Sequence, residues 1–196
     1  MKKFNFNFTF IVLGALIFFI HGCGVPSSLM TRGKFVEPVS NDDVIVTFLR
    51  PSSLGGGIWF GIWDKKNCVG ILHHGAYIQY KTNPGKHLFL AEMRDQWYYI
   101  KANLAPGKQY FIQTKVFFPG TKMGFDPVNK ADNVSQSKID NWLKNLKSTI
   151  AIPKKLDDYE NPRLSKVKFA IDNFESGGEK YMLLEAEDGR NIERSL

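Results

Sequence analysis

Hydrophobic and polar positions divide the chain into three stretches with different periods. Residues 8–20 are apolar throughout, broken only by Thr9 and Gly14. Between residues 44 and 117 come short runs rich in β-branched and aromatic side chains: 44–49 (VIVTFL), 58–63 (IWFGIW), 68–72 (CVGIL), 76–80 (AYIQY), 87–93 (HLFLAEM), 97–102 (WYYIKA) and 109–117 (QYFIQTKVF). Turn signals separate them: Gly55-Gly56-Gly57, Asp64-Lys65-Lys66-Asn67, His74-Gly75, Asn83-Pro84-Gly85 and Ala105-Pro106-Gly107. Short runs at such regular spacing predict an antiparallel seven-stranded β-sandwich. Tyr98 and Ile100 alternate with Tyr99 and Lys101, the pattern of a strand with one solvated face.

After Pro119-Gly120 the period becomes helical. Ile139, Trp142, Leu143, Leu146 and Ile150 form one apolar stripe, with Ser137 and Asp140 as a capping signal. A second helix is expected from Asn161-Pro162, with its stripe on Leu164, Val167, Ile171 and Phe174 and its end at Ser176-Gly177-Gly178. Residues 181–186 fit either helix or strand. The expected fold is mainly β with C-terminal α, two helices packing on the sandwich. The expected division is a signal peptide over 1–22, a tether over 23–41, the β-sandwich over 42–118 and a helical extension over 119–196.

The first stretch reads as an export signal. Lys2 and Lys3 form a positive start, and the apolar run that follows is too short to span a bilayer, which takes about 20 residues. Ile20-His21-Gly22-Cys23 then resembles a lipobox, although His21 is bulky where a small residue is usual. Lipidation of Cys23 is favoured because a lone cysteine at this point needs a reason. Ordinary secretion, with cleavage after Gly24, is the alternative. A multiply acylated Cys23 would anchor stably, each buried methylene adding about 0.8 kcal/mol. Gly24, rather than Asp, follows the cysteine, which resembles the signal for sorting to an outer membrane. The expected location is therefore the bacterial cell envelope, facing the periplasm.

Net charge changes the picture only slightly. The formal +7 of the whole chain falls to +5 once Lys2 and Lys3 are removed. The excess is diffuse, and without an arginine cluster interleaved with aromatics nucleic acid is not an expected partner. Anionic headgroups or envelope polymers are the milder inference. With Cys23 lipidated, Cys68 has no partner within the chain, so stability must come from a packed core.

Several segments together carry a likeness: VIVTFLRP, CVGILHHGAYIQYKTNPGKHLFLAE and WYYIKANLAPGKQYFIQ, following the signal and lipobox. The shared features are the strand ending in Gly70, the Gly75-Ala76-Tyr77 step, Pro84-Gly85-Lys86-His87, and the hairpin around Pro106-Gly107-Lys108. Over residues 42–115 the chain resembles a family of uncharacterised small bacterial lipoproteins whose domain is similar to PEGA-type, immunoglobulin-like β-modules. The resemblance implies that fold and that address, and no catalytic activity.

Candidate chemistry is sparse. His73, His74, His87 and Cys68 invite a metal reading, but adjacent strand residues point to opposite faces and no second pair has ligand spacing, so no metal is expected. No serine lies in a nucleophile elbow, and Gly55-Gly56-Gly57 lacks the following features of a phosphate loop. No cofactor and no enzymatic activity are expected. The better lead is Trp59, Trp63, Trp97 and Tyr99. Exposed together on a sheet, these rings could stack on a glycan or meet a partner protein; covered by the two helices, they would be core. The expected function is a non-catalytic, lipid-anchored binding or scaffolding role. Recognition of peptidoglycan or surface polysaccharide is the alternative.

Overall fold

The computed structural model describes residues 29–34, 36, 42–117, 122–129 and 134–191. The expected signal peptide, Cys23 and most of the expected tether lie outside the described residues. With 49% strand and 24% helix, the fold is mainly β, and the strands form two sheets.

The larger sheet has the order β1-β10-β5-β2-β8-β12, with β9 also on β8. Its strands are β1 (Met30–Arg32), β2 (Val44–Arg50), β5 (Ala76–Thr82), β8 (Lys108–Phe117), β9 (Lys122–Pro127), β10 (Lys147–Ala151) and β12 (Arg190–Asn191). The smaller sheet has the order β11-β7-β6-β3-β4. It contains β3 (Phe60–Asp64), β4 (Asn67–Leu72), β6 (Gly85–Met93), β7 (Gln96–Leu104) and β11 (Tyr181–Leu184). Three helices follow the main run of strands: α1 (Gln136–Asn145), α2 (Pro153–Glu160) and α3 (Leu164–Glu175). A 3₁₀ turn at Asn161–Arg163 joins α2 to α3.

The sheets face each other across one core. Val44, Val46 and Phe48 of β2 and Tyr110 and Ile112 of β8 meet Phe60, Ile62, Phe89 and Ile100 of the smaller sheet. Phe48 packs edge-on against Phe89, with ring centroids 5.4 Å apart. Every residue of β2 is buried, because its other face, at Leu49, lies under α1 beside Tyr77 and Phe111. A strand covered on both sides loses its alternation and reads as one apolar run, as VIVTFL does. Helices α2 and α3 cover the opposite outer face, through Tyr159, Val167, Ala170 and Phe174. The layers therefore run α1, larger sheet, smaller sheet, α2–α3.

Several expectations need correcting. There are two sheets of seven and five strands rather than seven strands in all, and they are not purely antiparallel. The pairs β2–β8, β5–β10 and β7–β11 are parallel. Local turn signals reveal hairpins such as β6–β7 but carry no information about partners distant in sequence. Residues 119–196 do more than add helices: they supply β9 to β12, which extend both sheets. Residues 30–32, expected in the tether, form β1 against β10.

The helices also differ in extent and placement. The first stripe breaks at Leu146, whose backbone is extended, and the β-branched Thr149 and Ile150 go into β10. Its cap is Ser135, which accepts a bond from the Lys138 amide at 3.3 Å, and not Ser137. Pro162 falls in the 3₁₀ turn instead of opening the second helix. Pro153 opens α2. The expected two-helix layer is split, with α1 on one outer face and α2–α3 on the other.

Candidate functional site

Trp63, Trp97 and Tyr99 project from one face of the smaller sheet, because residues two apart on a strand point the same way and cross-strand partners share a face, and Trp59, just before β3, meets the same side. That face is the one α2 and α3 occupy. Trp63 is 0% exposed and Tyr99 3%. Tyr159 of α2 lies on Trp63 with centroids 6.2 Å apart and meets Trp59 edge-on at 6.0 Å. Tyr99 stacks on Phe174 at 5.1 Å and donates its hydroxyl to the Ala170 carbonyl at 3.2 Å. Burial raises its pKa to about 12, with the charge of Glu179 adding to the rise. Of the two outcomes left open for these rings, the covered one is formed at Trp63 and Tyr99, which are core, while Trp59 and Trp97 are half-buried.

Gly61 permits this covering. A Cβ at Gly61 would stand 2.8 Å from the Tyr159 hydroxyl, so only glycine lets the ring settle there. The hydroxyl donates to Glu92 Oε2 at 3.2 Å. Arg163 lies 3.8 Å over the Tyr159 ring and brings its Nε within 3.8 Å of the same carboxylate oxygen. Burial raises the Glu92 pKa, opposed by Arg163 and by the tyrosine hydrogen bond. Cys68 sits nearby, its thiol pushed up to about 12 chiefly by burial, which removes the thiolate that nucleophilic chemistry needs.

Trp97 is where surface remains. It lines a groove of about 760 Å³ with Tyr98, Phe169, Arg94, Lys122 and Lys166. Phe169, on the outward side of α3, is 65% exposed. A second groove, about 1170 Å³, runs between β6–β7 and the end of α3. Lysines 65, 66, 86 and 101 line one wall, Glu175, Glu179 and Glu185 the other, and Phe174, Tyr181 and Leu183 lie between. Lys101 lies 4.5 Å over the Tyr181 ring.

His87, at the edge of the second groove, belongs to a buried polar cluster. Its Nδ1 is 2.7 Å from Asp64 Oδ2 and its Nε2 2.9 Å from the Asn83 carbonyl oxygen. The Tyr80 hydroxyl donates to the same Asp64 oxygen at 3.1 Å. A carbonyl and a carboxylate only accept, so both ring nitrogens carry hydrogen and the ring is an imidazolium. The hydrogen bond to Asp64 raises the His87 pKa, against the opposing effect of burial. Neither nitrogen is left to act as a base.

The other metal candidates are scattered. His74 bonds the Gly56 carbonyl at 2.9 Å, at the opposite end of the sandwich from His87. His73 is kept below its ordinary pKa by burial, then by His74 and Arg50. Among the described residues no cluster of three or more His, Cys, Asp or Glu could hold an ion.

Sequence reasoning missed Arg50, a charged side chain that is fully buried. It donates to the carbonyls of Leu54 at 2.9 Å and Gly55 at 2.8 Å, and to that of Ile58, pinning the β2–β3 loop. Burial lowers its pKa to about 10. Its position at the end of an apolar strand, just before Pro51, was the available signal.

The chain matches no protein-family model, no curated protein and no solved structure.

Proposed function

We propose that this chain is a lipid-anchored protein of the bacterial cell envelope whose domain binds or scaffolds another envelope component without catalysis. The address rests on the Ile20-His21-Gly22-Cys23 sequence. The turn pattern over residues 42–115 supports kinship with small lipoproteins bearing PEGA-type, immunoglobulin-like domains. A binding role rests on one observation above others, the exposed Phe169 ring in the wall of the groove that Trp97 lines. Apolar rings in a concave surface are unused contact area. The engaged nitrogens of His87 and the high pKa of Cys68 support a role without acid–base or nucleophilic chemistry.

Glycan remains the second reading, now on narrower ground. Trp97 and Phe169, with Tyr98 beside them, take the place of the four rings first considered, and aromatic faces stack on sugar rings. One experiment addresses address and binding together. Fatty-acid labelling should mark the wild type and not Cys23→Ser. Crosslinked-envelope capture should then recover a component that Phe169→Ala loses while its urea midpoint is unchanged. An unlipidated mature protein would overturn the address, and equal capture by Phe169→Ala would overturn the groove.

A further inference from the structure

The two ends of the sandwich differ in what their turns carry, and the chain enters at one of them. The Leu29 carbonyl accepts a bond from the Ile152 amide at 2.9 Å, and Met30 lies opposite Ala151. Strand β10 runs parallel to β5 with Thr149 opposite Ile78, which brings Ala151 level with Tyr80. The Tyr80 hydroxyl reaches Asp64, so the last residue of β3 lies at this level too. The entry point, the β3–β4 turn, the β5–β6 turn and the start of α2 therefore share one end of the domain.

That end is basic. Lys65 and Lys66 occupy the β3–β4 turn, Lys86 follows the β5–β6 turn, and Lys154 and Lys155 stand in the first turn of α2; all five are exposed. Among the described residues none of the five has an ion-pair partner. Among the carboxylates near them, Glu175 and Glu179 face Lys65, Lys66 and Lys86 across the second groove and Asp157 and Asp158 stand exposed on α2, while others are engaged. Asp43 pairs with Lys81 at 3.3 Å, Asp64 is buried under His87, and Glu185 and Asp188 cap the 3₁₀ turn at Ala186–Asp188.

We infer that this lysine-bearing end is a docking surface for the anionic bilayer in which the Cys23 lipid is held. The inference rests on the lipid-anchor reading for the identity of the surface it faces. Only five residues, 24–28, separate Cys23 from Leu29, and so short a chain spans at most about 20 Å fully extended. The tether expected to lift the domain away is thus shorter than residues 23–41 suggested, since β1 already belongs to the sheet. Electrostatic attraction decays over about 8 Å at physiological salt, and so short a leash lets these cations come within that distance of an anionic surface. Basic groups beside a bilayer contribute about 1 kcal/mol each, or roughly fivefold in affinity. The groove at Trp97, beside the β6–β7 turn, then lies away from the bilayer and clear for other partners, whereas the groove at Lys101 opens at the lysine-bearing end itself.

The test uses the unlipidated Cys23→Ser protein in co-sedimentation with vesicles of phosphatidylcholine alone or mixed with phosphatidylglycerol. Binding should require phosphatidylglycerol and weaken as salt rises. Lys154→Glu/Lys155→Glu and Lys66→Glu/Lys86→Glu should each weaken it at least about twentyfold. Lys144→Glu/Lys147→Glu, with the same change of charge at the opposite end, should leave it nearly unchanged. Circular dichroism and urea midpoints establish that each variant folds. Equal binding to both vesicle types, or equal loss from the pairs at either end, overturns the inference. Fatty-acid labelling of the wild type answers separately. Labelled Cys23 with inert lysine pairs leaves the anchor and removes the surface, whereas unlabelled Cys23 with lysine-dependent binding does the reverse.

Discussion

The His87 cluster makes the sharpest test of the physical reading. The imidazolium sits between Asp64 and Asn83, with its side chain 13% exposed and that of Asp64 7%. Among the described residues the Asp64 Oδ1 atom has no hydrogen-bond partner, so the carboxylate depends on what reaches Oδ2. Replacing His87 with Gln leaves Tyr80 as the remaining donor to that oxygen and strands most of a buried charge, which costs about 3–5 kcal/mol. Asp64→Asn keeps an acceptor but loses the ionic component of the bond, a smaller cost of about 1.5–3 kcal/mol. The pH dependence separates this account from simple loss of packing. Hydrogen bonding to Asp64 holds the folded-state pKa above the unfolded value near 6.5. The stabilisation is therefore complete below that unfolded value and is lost as pH rises through the folded one. Urea midpoints of the wild type should fall as pH is raised from about 6 towards 9, and those of His87→Gln should fall less. Parallel pH profiles for the two proteins would refute the imidazolium assignment, whatever the size of the stability loss.

Three further outcomes test the covering of the smaller sheet. Gly61→Ala drives a methyl into the Tyr159 hydroxyl and should destabilise by about 1–3 kcal/mol in urea; an unchanged midpoint would mean that α2 does not seat there. Trp63→Ala should cost about 3–5 kcal/mol and half-buried Trp97→Ala distinctly less, so equal losses would contradict the layer order. Cys68, with its thiol raised to about 12, should resist iodoacetamide at neutral pH until urea unfolds the chain. Rapid native alkylation would place it outside the core.

Local signals in the sequence were faithful within the span of a hairpin. The runs at residues 44–49, 76–80 and 97–102 became β2, β5 and β7, and Pro84-Gly85 and Pro106-Gly107 mark the turns expected of them. Gly107 takes the positive φ, +68°, that such a turn requires. What stayed hidden depends on partners far along the chain. Residues 147–151 carry an apolar position that fits a helical stripe, yet two waiting strand edges claim their backbone. Likewise Met30–Arg32 looks like a linker until its partner is known. For the site, alternation left open whether Trp59, Trp63, Trp97 and Tyr99 were exposed together or covered. The outcome turned on Gly61 and Tyr159, whose fit no periodicity encodes.

The position of β1 has a consequence for the order in which the molecule is made. This strand is among the first parts of the domain to leave the ribosome, but its partner β10 follows most of the sheet residues, and β10 must itself dock beside β5. Contacts between such distant segments carry a large loop-closure entropy and slow folding. Under the lipid-anchor proposal, Cys23 leaves the ribosome before β10, so acylation there would come before closure of the larger sheet. The protein would then complete its folding while already attached at one end.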